Sequence, residues 1–203
     1  IIASSLANTA VLSRYNPTTS DLESVALELP PATGFPGDPT VQKMLLNVDR
    51  LFILQANLIT RLNYPSLVTA QAKELEFVSE RSFLAASKQN IYIAGQEQNE
   101  WVLLVLDAET LELELKLLFR NAPIHGLALV SNKIFVSIGQ TIEVYNADTF
   151  QLIGLYAVPG ISTNLIVDAA NDVLVFLNDR LVKLNSKNGT TRSIELPGAR
   201  TLS

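Results

Sequence analysis

The chain repeats itself, and a repeat decides more about a fold than any local propensity does. Val105-Leu106-Asp107-Ala108-Glu109-Thr110-Leu111 is echoed by Val144-Tyr145-Asn146-Ala147-Asp148-Thr149-Phe150, with Tyr145 standing 39 residues after Leu106. Lys183-Leu184-Asn185-Ser186-Lys187-Asn188-Gly189 follows after another 39. Arg61-Leu62-Asn63-Tyr64-Pro65-Ser66-Leu67 fits the same mould 44 residues before the first of these, and Tyr15-Asn16-Pro17 is a looser copy 47 residues earlier still. Each copy closes an apolar run with Asp or Asn and small turn formers, then opens another apolar run. Asp and Asn suit such a hairpin corner because their side chains accept hydrogen bonds from nearby backbone N–H groups and tolerate unusual backbone angles.

Upstream of each corner lie two further β-rich runs. One set is Arg50 to Leu54, Asn90 to Ala94, Lys133 to Ile138 and Asp172 to Leu177; the other is Val41 to Leu46, Ser82 to Ala86, His125 to Val130 and Asn164 to Asp168. Four short strands per unit of 39 to 47 residues predict an all-β chain, a β-propeller of four-stranded antiparallel blades. One such meander cannot cover both of its apolar faces, so blades must stack around an axis and bury one another. Leu103-Leu104-Val105-Leu106 and Val173-Leu174-Val175-Phe176-Leu177 are nearly continuous apolar runs and are expected as inner strands buried on both faces. Glu109 to Phe119 has helix-favouring residues, yet Glu112, Glu114 and Lys116 alternate with Leu113, Leu115 and Leu117, which predicts a strand.

A single domain over residues 1–203 is expected, with a partial blade at 1–29, a Pro/Gly loop at 30–40 and blades at 41–75, 76–119, 120–158 and 159–197. Residues 1–29 supply three strands at most. Either Gly198 to Ser203 donates the lacking strand and closes about five blades, or these are part of a larger wheel. The chain begins Ile1-Ile2 without methionine, which reads as a piece or processed product of a longer reading frame.

Hydrophobic residues make up 48% of the sequence and charged residues 17%, which argues for a compact, strongly buried chain. A net charge of -5 lacks the footprint of a phosphate-backbone binder, so nucleic acid is not an expected partner. Cysteine is absent and His125 is the single histidine, so thiolate metal sites are excluded; neither a metal nor a cofactor is expected. The most apolar stretch, Trp101 to Phe119, is interrupted by five charged residues, and no transmembrane segment is expected.

Asn90 to Leu111 and His125 to Phe150 resemble propeller repeats of the seven-bladed YVTN and NHL-like kind, in which a strand leads to an Asp-x-x-Thr corner. Val41 to Leu67, with its corner Asn63-Tyr64-Pro65-Ser66-Leu67, is similar to the Citron-homology propeller of kinase regulators and vacuolar tethering subunits. That resemblance implies a cytoplasmic regulatory or membrane-tethering complex contacting small GTPases or fellow subunits. No blade carries the Trp-Asp signature pair, since Trp101 precedes Val102.

The expected function is a non-catalytic protein-interaction scaffold. It would bind through loops where the blades begin and through turns between second and third strands, with Phe35, Arg81, Trp101, Arg120 and His125 as candidate binding residues. Phe35 sits in the Pro/Gly loop; Trp101 stands near Gln96, Glu97 and Glu100 and is also a candidate for plain core packing. The alternative is a propeller enzyme of lyase or lactonase type, because Pro123-Ile124-His125-Gly126 resembles the Pro-His-Gly stretch of some propeller lyases. It would require His125 and loop carboxylates to converge near the axis. Gln42, Arg81 and Thr163 hold places comparable to His125 in the other blades. Asp107, Glu109 and Asp148 recur at repeat positions and are expected as hairpin corners, and Asn188-Gly189-Thr190 as a tight turn.

Overall fold

The structure is a computed structural model that describes residues 2–6, 9–16, 21–28, 41–55, 57–76, 82–119 and 123–195. Among the described residues every regular element is a strand. A first sheet holds β1 (Ile2–Leu6), β2 (Thr9–Asn16) and β3 (Asp21–Glu28). Four four-stranded sheets follow. Blade I holds β4 (Val41–Asn47), β5 (Arg50–Gln55), β6 (Leu58–Asn63) and β7 (Val68–Glu74). Blade II holds β8 (Phe83–Ala86), β9 (Asn90–Glu97), β10 (Glu100–Asp107) and β11 (Leu113–Phe119). Blade III holds β12 (Ile124–Val130), β13 (Lys133–Ile138), β14 (Thr141–Asn146) and β15 (Leu152–Ala157). Blade IV holds β16 (Ser162–Val167), β17 (Val173–Leu177), β18 (Arg180–Leu184) and β19 (Thr191–Glu195).

Within each sheet the strands pair antiparallel in sequence order, so every sheet is an up-and-down meander. The first strands β4, β8, β12 and β16 adjoin one another in turn, which places them side by side at the axis and leaves β7, β11, β15 and β19 at the rim. This is the propeller expected from the repeat.

What joins the blades is the period of two along each strand. Ile91 and Ile93 of β9 pack toward blade I with Phe52, Leu54 and Ile59, whereas Tyr92 and Ala94 pack toward blade III with Ile134 and Val136. On β10, Val102, Leu104 and Leu106 join the first gap, and Leu103 and Val105 the second. Phe135, Ile142 and Val144 of blade III meet Leu165, Val173, Val175 and Val182 of blade IV in a third gap. The continuous apolar runs are therefore second and third strands, interior to their sheets and apolar on both faces.

The corners are built alike. The Oδ1 of Asp107 accepts the N–H groups of Glu109 at 2.8 Å and Thr110 at 2.7 Å. The Oδ1 of Asn146 takes those of Asp148 and Thr149, both at 2.9 Å, and that of Asn185 those of Lys187 and Asn188, both at 3.1 Å. Four residues on, Leu67, Leu111, Phe150 and Gly189 adopt φ of 57°, 60°, 56° and 75°. Each N–H there donates back to the carbonyl of Asn63, Asp107, Asn146 or Asn185. Only glycine holds that conformation freely; a side chain there costs about 1–2 kcal/mol. Leu111 and Phe150 offset the cost by sinking into the gaps on either side of blade II.

Just past the corner the rim strand of three blades carries one extra residue, Ala70, Glu114 and Ile153 respectively. These bulges correct one expectation. Leu115 and Leu117 share a face as strict alternation requires, but the extra Glu114 turns Leu113 to the other side, opposite Leu106. Leu113 is left about half exposed. In the first sheet, Asn16 ends β2 as Asn63 ends β6, and β1 adjoins β4 as β13 adjoins β16. By both marks β1, β2 and β3 stand as second, third and fourth strands of a blade.

If the gaps carry the stability, Phe135→Ala should lower the unfolding free energy by about 3–5 kcal/mol. Leu155→Ala, at a rim position 63% exposed, should change it by less than about 0.5 kcal/mol. Urea midpoints of the two variants check this, and similar shifts for both would contradict the assignment of the core.

Candidate functional site

The first strands of blades I, III and IV begin with the same irregularity. The register slips by one residue at Gln42, between Val41 and Lys43; at His125, between Ile124 and Gly126; and at Thr163, between Ser162 and Asn164. A bulge breaks the pairing and re-aims the side chains beside it. Here it does so at the axis, at the end of the wheel opposite the Asp/Asn corners. A cavity of about 590 Å³ opens there. Blade I contributes Lys43; blade II contributes Phe83 and Trp101, with Ser82 just before its first strand. Blade III supplies Ile124 and His125 behind Pro123, and blade IV supplies Ser162 and Thr163 behind Ile161.

The walls are mixed in kind. The rings of Phe83 and Trp101 lie 6.4 Å apart, tilted by 36°, and both pack against the cluster between blades II and III. Trp101 is thus half-buried core and cavity wall together. Ile161 is 52% exposed at the mouth, and Lys43 is exposed. Ser82 and Ser162 are buried, and the Ser162 hydroxyl donates to the Asn164 carbonyl at 3.2 Å. His125 is half-buried. No Asp or Glu is among the described residues that line the cavity.

Gly126 has a structural reason of its own. A Cβ there would lie 2.8 Å from both the Leu165 backbone nitrogen and Cγ, because β12 and β16 approach closely at the axis. The glycine of the lyase-like stretch is therefore demanded by packing. Gly126→Ala should cost about 1–3 kcal/mol by prising these strands apart, read as a lower urea midpoint. An unchanged midpoint would show that the approach is not tight.

The acids stand elsewhere. Glu109 is met by Arg50 at 2.9 Å and Arg61 at 2.8 Å, both from blade I. Asp148 accepts from the Asn132 amide at 2.6 Å. Asp107 and Asp148 do share a polar groove of about 560 Å³ with Glu114, Lys88 and buried Tyr92, so these two corners are closer than once-per-blade spacing suggests. That groove is at the corner end, and His125 does not line it. Among the described residues no group of His, Asp and Glu has a metal-holding arrangement. Phe35, Arg81 and Arg120 lie outside the described residues. Lys43, Phe83 and Ile161 went unrecognised in the sequence; their signal was position, each within a few residues of where a first strand begins.

Backbone N–H bonds, Thr110 first, hold the Asp107 carboxyl below the usual carboxylate range against a smaller push from desolvation. The Lys183 ammonium at 2.7 Å does most to lower Asp168, with the N–H groups of Asp172 and Ala170 assisting. Carboxyls depressed by folding contribute fully above the unfolded pKa, near 4, and lose that contribution as pH falls through the folded value. Asp107→Asn, which keeps the acceptor and loses the titration, should therefore flatten the acid limb of stability against pH. Asp107→Ala should cost about 1 kcal/mol at pH 7. Parallel acid limbs for the wild type and the Asn variant would refute this role.

Comparison with known proteins adds the fold alone. No protein-family model matches the chain, and no curated protein matches it significantly. Among solved structures it is similar to the RRP9 WD40 repeats, with a TM-score of 0.64 and 6% identity over 79% of this chain and 52% of that one. Sqt1 of Saccharomyces cerevisiae gives 0.63 and 11% over 91% and 55%. Hydrazine synthase of Kuenenia stuttgartiensis gives 0.63 and 11% over 82% and 53%. The chain spans about half the length of these three structures. At such identities a WD40-type propeller and an enzyme match equally well, so the likeness fixes a β-propeller repeat architecture and leaves the role to the site. Among the described residues no helix is long and apolar enough to cross a membrane.

Proposed function

We propose that this chain is a non-catalytic scaffold that holds a partner protein at the axial cavity. The observation that carries the reading is the composition of that cavity: four blades bring together a cation, an aromatic pair and an exposed isoleucine, with no carboxylate among the described lining residues. Aromatic and aliphatic side chains beside a charge are what protein interfaces use as anchors. The enzyme reading needs acids around His125, and the described acids of the repeat occupy the opposite end of the blades. The turns between second and third strands, such as Gln98-Asn99 and Gly139-Gln140, share the cavity's end and extend the candidate surface. Phe35, Arg81 and Arg120 remain part of the proposal on their sequence positions. If the Citron-homology resemblance extends to partners, the partner is a small GTPase or a fellow tethering subunit in the cytoplasm.

A photo-crosslinking residue at position 161 should capture a partner that one at position 155, on the rim, does not. Lys43→Glu combined with Ile161→Asp should abolish that partner's recovery while moving the thermal midpoint by no more than about 2 °C, since both side chains are exposed. Equal recovery with and without the two substitutions would defeat the proposal.

A further inference from the structure

We infer that the axial cavity takes an extended partner segment in which an Asp or Glu side chain adjoins a bulky apolar one, an inference that rests on the scaffold reading. The chain as a whole carries 20 acidic and 15 basic residues. A surface chosen at random would more often present carboxylates than cations. The described wall of this cavity reverses that balance, with Lys43 and no acid. An acidic group entering it meets no carboxylate of the described wall, and Lys43 gives it a charge-assisted hydrogen bond.

The apolar half of the recognition comes from the neighbouring blades. Phe83 and Trp101 present tilted rings on one side, and Ile161 stands 52% exposed on another. An aliphatic or aromatic side chain laid between them leaves water on both sides at once. At about 590 Å³ the cavity falls in the range of ligand pockets, roughly 300–1,000 Å³, so it admits a few side chains of a segment and not a folded domain. A polyanion such as nucleic acid requires a row of cations, and among the described lining residues Lys43 is the one lysine or arginine. Most of the described lining residues, Lys43, Phe83, Trp101, Ile124, His125, Ser162 and Thr163, stand on strands, which lowers the cost of ordering the receptor when a segment binds.

Trp101 is the only tryptophan of the chain and lines the cavity, so its emission reports occupancy directly. Short peptides blocked at both ends, Gly-Gly-Leu-Glu-Gly-Gly and its Leu-Lys and Ser-Glu counterparts, are titrated against the whole chain. The Leu-Glu peptide should bind saturably and shift the emission, with the other two at least about tenfold weaker. Lys43→Ala should weaken the Leu-Glu peptide by up to about fivefold, the worth of one exposed ion pair. Lys43→Glu should weaken it further and improve the Leu-Lys peptide, and added salt should erode the Leu-Glu preference. A peptide with its only carboxylate at the free C-terminus distinguishes a terminal from a side-chain acid and should bind no better than Ser-Glu. Equal affinity for Leu-Glu and Leu-Lys, or no saturation by Leu-Glu below about 1 mM, overturns the inference. If position 161 still crosslinks a partner through a segment without acids, this inference falls and the scaffold stands; if nothing crosslinks there, both fall.

Discussion

The interior strands of blades II and III send odd and even side chains into two different gaps, and the rest of the structure follows from that division. Tyr92 belongs to one gap and its neighbours Ile91 and Ile93 to another, so a slip of a single residue would exchange their surroundings and ruin both. Burying Phe52 or Phe135 is thus an interaction between blades, and a blade taken alone would leave one apolar face in water. The register must be fixed before the gaps can fill. That is the task of the corners, where one side-chain oxygen satisfies two backbone N–H groups and a left-handed residue turns the chain back. Leu111 and Phe150 show how closely the two tasks are tied, since the residue strained by the turn is also a side chain that fills a gap.

Polar links reinforce the same end of the wheel. Asn47 donates to the Ser87 carbonyl, Arg50 to that of Lys88 at 3.2 Å, and Lys133 to that of Ser186 at 2.9 Å, each crossing from one blade to the next. Glu109 joins Arg50 and Arg61 in the same region. With its carboxylate more than half exposed, Glu109 adds little net stability, but the Arg61 side chain is only 9% exposed and would be left as an uncompensated buried charge without it. These contacts orient blades that the gaps already hold. At the opposite end the first strands of blades I, III and IV are interrupted by bulges, and residues around them form part of a cavity wall.

The corners were legible in the sequence because their chemistry is local: Asp107, Asn146 and Asn185 need only the next few N–H groups. The strands between them were legible because burial on both faces leaves uninterrupted runs such as Leu103 to Leu106. Leu113 was read on the wrong face since a bulge obeys the corner's geometry and not the alternation of polar and apolar residues. The site was legible in part. His125 and Thr163 announced themselves by equivalent position, and Trp101 by its rarity, yet Lys43 and Ile161 are ordinary residues whose meaning arises only when separate blades meet at the axis. Asp107 and Asp148, 41 residues apart in sequence, come to line one groove for the same reason.

The two boundaries of the described structure are unlike in chemistry. On blade IV the side turned away from the third gap carries Ile166, Leu174, Phe176, Leu181 and Ile194, which register places on one face. Ile166 and Ile194 are 42% and 38% exposed, whereas Ala85 and Ala128, which hold the place of Ile166 in blades II and III, are buried. The first sheet, by contrast, has β1 in the place of a second strand, with backbone donors and acceptors toward the axis where the other blades have a first strand. One boundary calls for apolar area and the other for a hydrogen-bonded strand. A surface that met both would also border the axis, because the strand wanted beside β1 belongs to the ring of β4, β8, β12 and β16.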